Sequence, residues 1–208
     1  GTQLMIESNT AESSGGGWAS YLGATVLFNG GAMVVVKNNK AVSEGGGGVY
    51  LQDAGSSLTA TGQGTQLMIE RNTAEGSGGG LSSLGATVLF NGGAVVVVKN
   101  NKAVSRSGGG VYLQDAGSSL TATGQGTQLM IESNTAESSG GGCLSQLGAA
   151  MLFDGGAVVE VKNNEAINAG GGISMDQGVL VANGTATRLV FQNNTAGNSG
   201  GGLMCFGL

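Results

Sequence analysis

One short signature recurs seven times along this chain: Asn-x-Ala, with a glycine cluster beginning six or seven residues after the Asn. Successive asparagines are 30, 33, 29, 33, 30 and 30 residues apart. Self-similarity at this period predicts a solenoid, because a single repeat cannot bury its apolar face without neighbours above and below it. The repeating asparagines are Asn9, Asn39, Asn72, Asn101, Asn134, Asn164 and Asn194.

Composition indicates that each repeat is made of strands. The 208 residues include 43 Gly and no Pro, and 40% of the chain is apolar. Glycine allows sharp corners, and the abundant Val, Ile and Thr favour extended backbone. We predict an all-β fold, a right-handed parallel β-helix of about seven coils, each of about 31 residues with three short strands. Residues 1–208 are expected to be a single segment of this helix within a longer chain.

Positions counted from each Asn separate an inner from an outer face. The residues five and three positions before the Asn are apolar in every repeat, so both columns should point inward. The residue two positions before the Asn should point outward, and it alternates between acid and base. Coils stacked about 4.8 Å apart would bring these charges together with alternating sign. We predict an outward charge ladder, with each lysine between two glutamates, formed by Glu7, Lys37, Glu70, Lys99, Glu132 and Lys162.

The asparagines and glycine clusters are expected to be structural. A polar side chain repeated at one corner can hydrogen-bond to its copies in adjacent coils, and Asn tolerates left-handed backbone angles. We therefore predict a structural asparagine ladder rather than a ligand site. The glycine clusters carry neither GxxxxGK[ST] nor a GxGxxG that opens a helix, so we expect corners or close-packed strand starts instead of phosphate loops.

The charge balance argues against several partners. The chain has 8 basic and 13 acidic residues, no His and a net charge of −5. It cannot form a basic face for nucleic acid or an anionic membrane surface. Its apolar runs are far shorter than the roughly 20 residues that span a bilayer, so we expect no membrane insertion by this segment. Cys143 and Cys205 should lie two coils apart, about 9.6 Å, beyond disulfide reach, and we expect both to be buried apolar residues.

Catalysis is the least favoured function. Pectin-cleaving enzymes share this kind of fold, but their chemistry needs several carboxylates that converge on one groove. Asp53, Asp115 and Asp176 instead recur at a corner about two coils apart. The calcium-binding pattern GGxGxD is also missing. We predict no catalytic residue, metal site or cofactor, and keep a polysaccharide-degrading enzyme only as a second alternative.

Ice binding is the first alternative function. Thr59 and Thr61 form a Thr-x-Thr pair that recurs at Thr121 and Thr123. Arrays of outward threonines on β-solenoids are similar to ice-binding faces. The intervening coils offer apolar residues in this region, including Phe28 and Phe90, and Thr is also simply a good strand former.

A candidate contact stripe lies on the outer face beside the charge ladder. The residue four positions before each Asn is apolar except at Glu160. A stripe of this length indicates lateral contact with another chain, or a surface covered by a flanking loop. It consists of Met5, Val35, Met68, Val97, Met130 and Val190.

The run from Phe191 to Leu203, FQNNTAGNSGGGL, resembles the FxxN and GG(A/L/I/V) repeats of the polymorphic outer-membrane proteins. The other repeats have Ile or Val in place of Phe191. The resemblance extends over the whole chain and implies a surface-exposed right-handed β-helix, the passenger of an autotransporter, linked to adhesion. It carries over no active-site residue.

From the repeat and the resemblance we expect a non-enzymatic structural or adhesive rod, extracellular or at the cell surface. Its expected partners are other copies of itself or flanking repeats of a longer chain, and a cell surface or glycan. Copies could associate end to end or laterally into a filament. Asn183 and Asn193 begin glycosylation sequons that a secretory eukaryote could modify.

Overall fold

The computed structural model describes residues 1–207 and consists of seven stacked coils. In coils 1 to 6 the chain passes through four parallel sheets, which we call A, B, C and D in that order, and coil 7 contributes strands to A, B and C. Sheets A, B and C each have seven strands, and sheet D has six. Neighbouring strands in a sheet come from successive coils, so the predicted parallel β-helix is confirmed.

Coils 1 to 3 contain β1 (Gln3–Glu7), β2 (Thr10–Ala11), β3 (Trp18–Ser20), β4 (Thr25–Phe28), β5 (Met33–Lys37), β6 (Lys40–Ala41), β7 (Val49–Gln52), β8 (Ser57–Thr61), β9 (Gln66–Glu70), β10 (Thr73–Ala74), β11 (Leu81–Leu84) and β12 (Thr87–Asn91). Coils 4 to 7 contain β13 (Val95–Lys99), β14 (Lys102–Ala103), β15 (Val111–Gln114), β16 (Ser119–Thr123), β17 (Gln128–Glu132), β18 (Thr135–Ala136), β19 (Cys143–Gln146), β20 (Ala150–Asp154), β21 (Val158–Lys162), β22 (Glu165–Ala166), β23 (Ile173–Asp176), β24 (Val179–Ala182), β25 (Arg188–Gln192), β26 (Thr195–Ala196) and β27 (Leu203–Phe206).

Each of coils 1 to 6 has one strand more than the sequence predicted. Sheets A, C and D are made of the three longer strands, and sheet B is a ladder of two-residue strands that directly follow the repeating asparagines. The second residue of each of these short strands is the Ala of the Asn-x-Ala signature, and Ala41, Ala74 and Ala103 are fully buried. A larger side chain would not fit at this interior corner.

The core is a narrow column of aliphatic side chains between the sheets. In sheet A, Val98 pairs in register with Ile69 and Ile131, and all three side chains are buried. In sheet D, one inward column alternates large and small residues along the stack, which lets each aromatic ring extend over the space beside its smaller neighbours. This column is Phe28, Ala60, Phe90, Ala122, Phe153 and Ala182.

The left-handed corner lies one residue earlier than the asparagine signature suggested. The residue immediately before each ladder asparagine has a φ between 53° and 59°. This position holds Asn in four coils, but also Arg71 and the serines Ser8 and Ser133. The strained angle therefore does not explain why the next residue is always Asn. Among residues 1–207 no helix is long and apolar enough to cross a membrane.

Candidate functional site

The seven asparagines form one continuous hydrogen-bonded ladder. The Oδ1 atom of Asn101 accepts bonds from the backbone N–H of Asn72 at 2.9 Å and from its Nδ2 at 3.1 Å. The Nδ2 of Asn101 donates forward to Oδ1 of Asn134 at 3.0 Å and back to the carbonyl of Ile69 at 2.9 Å. Both amide hydrogens and both lone pairs are thus used, and Asn101 is only 1% exposed. No capacity is left for a ligand.

The glycine clusters pack directly on this ladder. The first glycine of a cluster makes a corner with positive φ, as in Gly108 at 69°. The third lies against the next coil: a Cβ on Gly110 would be 2.6 Å from the Gly142 carbonyl oxygen and 2.9 Å from Nδ2 of Asn134. The clusters are therefore both corners and close-packed strand starts, and they bring the ladder and sheet C together.

The charge ladder forms separate ion pairs rather than a continuous chain. Its members are stacked in register, with Lys99 opposite Glu70 on one side and Glu132 on the other. Nevertheless, of its two neighbouring ladder glutamates, each ladder lysine within residues 1–207 comes within 4.0 Å only of the one in the preceding coil. The distances are 3.3 Å for Lys37 with Glu7, 3.5 Å for Lys99 with Glu70, and 3.6 Å for Lys162 with Glu132.

Glu160 joins the end of this ladder. It lies in the contact stripe and binds Lys162 at 3.1 Å. The hydrogen bond and negative charge of Glu160, followed by the charge of Glu132, raise the pKa of Lys162 above its usual value. This lysine therefore has two acidic neighbours, one in its own coil and one in the coil before it.

The contact stripe lies in the middle of the outer face of sheet A. Its residues are stacked in register, with Val97 between Met68 and Met130. Met5 is 61% exposed and the others are half-buried. In a second outer column, Met33, which is 43% exposed, and Val95 lie on either side of the exposed Gln66. Between the two columns lies a shallow apolar depression of about 70 Å³. The apolar surface is thus widened beyond the stripe only at Met33 and Val95, with Gln66 between them.

The four threonines lie on the outer face of sheet D, but they are separated by other residues. Thr59 lies between Leu27 and Leu89, and Thr61 pairs with Asn91. The expectation that Phe28 and Phe90 share this surface is wrong, since both rings point into the core. A hydroxyl column missed by the sequence analysis runs beside them without interruption through four coils. It consists of Thr25, Ser57, Thr87 and Ser119.

The recurring aspartates lie in alternate coils but not all in one column. Asp53 and Asp115 occupy the corner after sheet C with φ values of 77° and 75°. Asp176 lies one position earlier, at the end of its strand, and Gln177 takes the corner. The expected common corner is therefore wrong for Asp176. Within residues 1–207, no three His, Cys, Asp or Glu side chains are grouped so that they could hold a metal ion.

The two cysteines are free. Cys143 is fully buried in the core, and burial raises the pKa of its thiol to about 12, so it remains an unreactive apolar residue. Cys205 is exposed rather than buried as expected. Its register partner Met175 is 8% exposed, because another coil covers Met175, whereas no described coil covers Cys205.

A polar groove that the sequence analysis did not identify runs along the outer face of sheet C. The groove includes a cavity of about 410 Å³ over coil 3. Ser82 lies at its floor, and Tyr50 and Tyr112 are the register partners of Ser82 on the two sides. The loops that connect sheets B and C form one edge, with Glu44 from coil 2 and Arg106 from coil 4.

A difference in loop length, visible in the sequence, marks this cavity. In coils 2 and 4 the cluster glycine with positive φ, Gly46 or Gly108, comes seven residues after the ladder Asn, whereas in the other coils it comes six residues after it. The longer loops carry Glu44 and Arg106 at equivalent positions. Between them, the shorter loop of coil 3 has Gly76, whose N–H donates to the Glu44 carbonyl at 2.8 Å. A Cβ on Gly76 would be 2.6 Å from that oxygen, so this close approach requires glycine.

Hydrogen bonds hold the tyrosines of the groove in place. The hydroxyl of Tyr50 donates to Oε1 of Gln52 at 2.9 Å, and Nε2 of Gln146 donates to the hydroxyl of Tyr112 at 2.8 Å. Burial raises the pKa of both tyrosines, and the positive charge of Arg106 partly opposes this change at Tyr112. Arg106 and Tyr112 both line this part of the groove.

Comparison with known proteins identifies the architecture. No curated protein and no solved structure matches the sequence significantly. The family described as the right-handed β-helix region matches residues 24–207, which is most of the chain and all coils from the first sheet D strand onward. The predicted hand of the solenoid is thereby confirmed, and the chain belongs to the right-handed β-helix family.

Proposed function

We propose that this chain is a non-enzymatic structural or adhesive rod, extracellular or at the cell surface, that associates laterally through the outer face of sheet A. The observation that carries the proposal is the contact stripe, an apolar column that extends from Met5 through Met130 beside the alternating charges. Apolar surface of this length on an outer face is typical of contact sites. The resemblance of the run 191–203 to autotransporter passenger repeats supports the surface location.

The face suits a second copy of the same rod. Its charges alternate every coil, so a neighbouring rod has many positions in which lysines oppose glutamates. The depression between Met33, Val35 and Val97 could receive an apolar side chain from the neighbour. Burial of such side chains would supply the free energy, and the flanking charges would select the alignment. End-to-end association into a filament is compatible with this arrangement.

A charge placed in the stripe tests the proposal. Glu160 occupies the stripe position in coil 6, so the fold accepts a carboxylate there. We expect Val97→Glu to retain the melting temperature of the parent within a few degrees but to lose lateral association. Light scattering after size exclusion, over a range of concentrations, would measure the change, and negative-stain images would show single rods instead of bundles.

Leu89→Glu is the matched control, because Leu89 lies on the outer face of sheet D at the end of coil 3, eight residues before Val97 at the start of coil 4. It introduces the same charge on a different face and should not alter association. Equal association of the parent and Val97→Glu, or equal loss in both variants, would overturn the role of sheet A.

Ice binding remains a second candidate because of one observation. The hydroxyl column on sheet D, from Thr25 to Ser119, presents four outward hydroxyls at the spacing of adjacent strands, about 4.8 Å. An ice-recrystallisation assay tests it directly. If ice binding is the function, the parent inhibits recrystallisation and Thr87→Lys abolishes the inhibition. Inactivity of the parent at concentrations where its fold is intact would eliminate this candidate.

A further inference from the structure

We propose that the groove on sheet C binds an anionic glycan, with one acidic sugar unit held over coil 3 between Arg106 and Ser82. This inference goes beyond the rod function, because the groove and the contact stripe are on different sheets. It holds whether or not rods associate laterally.

Arg106 supplies the positive charge. It is the only basic residue in the loops between sheets B and C, and it is exposed. Within the described chain its guanidinium has no acidic group within 4.0 Å. The acid at the equivalent position, Glu44, points toward coil 1, where its Oε2 accepts a bond from Ser14 Oγ at 2.7 Å. A guanidinium without an acidic partner can donate two parallel hydrogen bonds to a carboxylate or sulfate group of a ligand.

Ser82 supplies an unused hydrogen bond under the floor of the same cavity. Ser82 is 1% exposed, and its Oγ has no hydrogen-bond partner among the described residues. A buried hydroxyl without a partner is unfavourable, and a ligand hydroxyl would relieve this cost. Less than 1 Å² of the Oγ is accessible, so a neighbouring side chain, such as the half-buried Tyr112 that pairs with Ser82, has to shift when the ligand enters. The ring of Tyr112 can then pack on the apolar face of a sugar.

The shape of the groove favours a chain-like ligand. The cavity of about 410 Å³ lies in the range of small-ligand sites. It continues into a second cavity of about 210 Å³ through Ser77, Arg106 and Tyr112, which line both. The second cavity in turn continues into a third cavity of about 360 Å³ over coils 5 to 7. One acidic sugar unit at Arg106 would thus have room for further units along the rod axis.

The backbone of sheet C argues for a glycan over an acidic peptide. Extended peptides bind to solenoids and sheets chiefly by adding a strand to a free edge. Along the groove, β7, β11, β15 and β19 are each paired on both sides by the coils above and below, so no free edge faces the ligand. The groove instead offers hydroxyl and amide side chains, including Gln52, Gln114 and Gln146. These groups suit the hydroxyls of a polyol.

The test is calorimetric titration of the full chain with four probes of similar length: a uronic acid oligomer, a sulfated galactan oligomer, a neutral glucan oligomer and a polyglutamate peptide. We expect binding of one or both acidic oligosaccharides, and the two arms separate carboxylate from sulfate recognition. We expect at least tenfold weaker binding of the neutral oligomer and the peptide. Tighter binding of the peptide, or no binding of either acidic oligosaccharide, would overturn the proposal.

Two variants locate the site. Arg106→Ser should weaken binding about tenfold or more, since an ionic hydrogen bond is lost. The control is Arg71→Ser, which removes the same charge at a corner where Ser8 and Ser133 already stand. Equal weakening by both variants would mean only general charge attraction and would overturn the site.

Ser82→Ala tests the contact with a variant whose loss of glycan affinity cannot be explained by unfolding. It removes a hydroxyl without a partner, so the melting temperature should be unchanged or higher, while the affinity falls a few-fold. An affinity equal to that of the parent would overturn the contact with Ser82. Lateral association, measured on the same samples, should be unaffected by all three substitutions, so failure of this proposal and failure of the rod proposal are distinguishable.

Discussion

The turn between sheets A and B and the turn between sheets C and D place similar demands on the backbone and use very different side chains. Both have a residue with positive φ in coil after coil. After the first turn comes Asn in all seven coils, buried in coils 2 to 6. The second turn is variable, and it includes exposed residues such as Leu22, which is 89% exposed, as well as Asp53 and Gly85.

The difference between the two turns indicates that a turn position keeps one residue type when its side chain hydrogen-bonds to adjacent coils. A positive backbone φ alone does not fix the residue type. The left-handed residue of the A–B turn itself varies, and it is the following Asn that contacts both adjacent coils. At the C–D turn, the backbone N–H of Gly85 donates to Oγ of Ser118, which lies in the C–D turn of the next coil. This bond does not depend on the side chain at the corner position, so the identity of that side chain can vary from coil to coil. Register is therefore held mainly at the A–B turn.

The largest effect is expected from removing one step of the asparagine ladder. Asn101→Ala deletes four hydrogen bonds and leaves the Asn72 N–H, its Nδ2 and the Ile69 carbonyl buried with fewer partners. At roughly 1 to 3 kcal/mol for each unsatisfied group, partly relieved by relaxation, we expect a loss of about 4 kcal/mol in the free energy of unfolding. Urea denaturation followed by circular dichroism would measure it.

The neighbouring Asn100→Ser is the control. Asn100 has a φ of 56° and precedes the ladder residue, and Ser occupies the same position in coils 1 and 5. Its change should be below about 1 kcal/mol. Similar losses for the two variants would show that the backbone corner, and not the ladder, holds the register.

Much of this comparison could be predicted from the sequence, because a fixed repeat assigns each residue a partner one coil away. The inward pair Val96 and Val98 followed from that arithmetic, as did the stacking of Glu70 beside Lys99. The left-handed position was not predicted, since Arg71 and Ser8 give no signal for positive φ. Two other features were missed for a geometric reason.

The shape of the groove depends on how neighbouring B–C loops of different length pack against each other. The choice of which side chains of sheet D face the core depends on how the glycine at the preceding corner rotates the chain. The spacing of seven residues between Asn101 and Gly108 was visible, but its effect on the position of Arg106 appears only in three dimensions. In the same way, residue counting through Gly23 could not decide which of Leu27 and Phe28 enters the core. Repeat arithmetic gives stacking partners, not side-chain direction beyond a flexible corner.

A smaller loss is expected when the glycine that packs on the ladder is enlarged. Gly110→Ala would place its Cβ 2.6 Å from the Gly142 carbonyl, and coils 4 and 5 would have to separate locally. Overpacking of this kind costs about 2 to 3 kcal/mol. The matched control is Gly202→Ala, in the same column, where the nearest atom to a Cβ is 3.5 Å away. Equal melting temperatures for Gly110→Ala and the parent would contradict the close packing.

At the C–D turn a substitution should stabilise the chain. Leu147 has a φ of 54° and is 46% exposed, and Gly85 occupies the same corner in coil 3. Leu147→Gly removes the steric cost of the left-handed angle, about 1 to 2 kcal/mol, but adds freedom to the unfolded chain, so the net gain should be about 0.5 kcal/mol. Chemical denaturation of both proteins would measure it. A loss larger than 1 kcal/mol would mean that Leu147 makes contacts that its exposure does not suggest.

The smallest effect is expected at the charge ladder, although its pattern is among the most regular in the sequence. Lys99→Gln breaks the 3.5 Å pair with Glu70 and leaves the asparagine ladder intact. Partly exposed ion pairs contribute about 0 to 1 kcal/mol, so the loss should be below 1 kcal/mol and should shrink further in 0.5 M salt, because salt screens charges at the surface. The comparison is denaturation of parent and variant at low and high salt. If Lys99→Gln cost as much as Asn101→Ala, the register would be held by charges and not by the buried amides, and the contrast between the two turns would lose its physical basis.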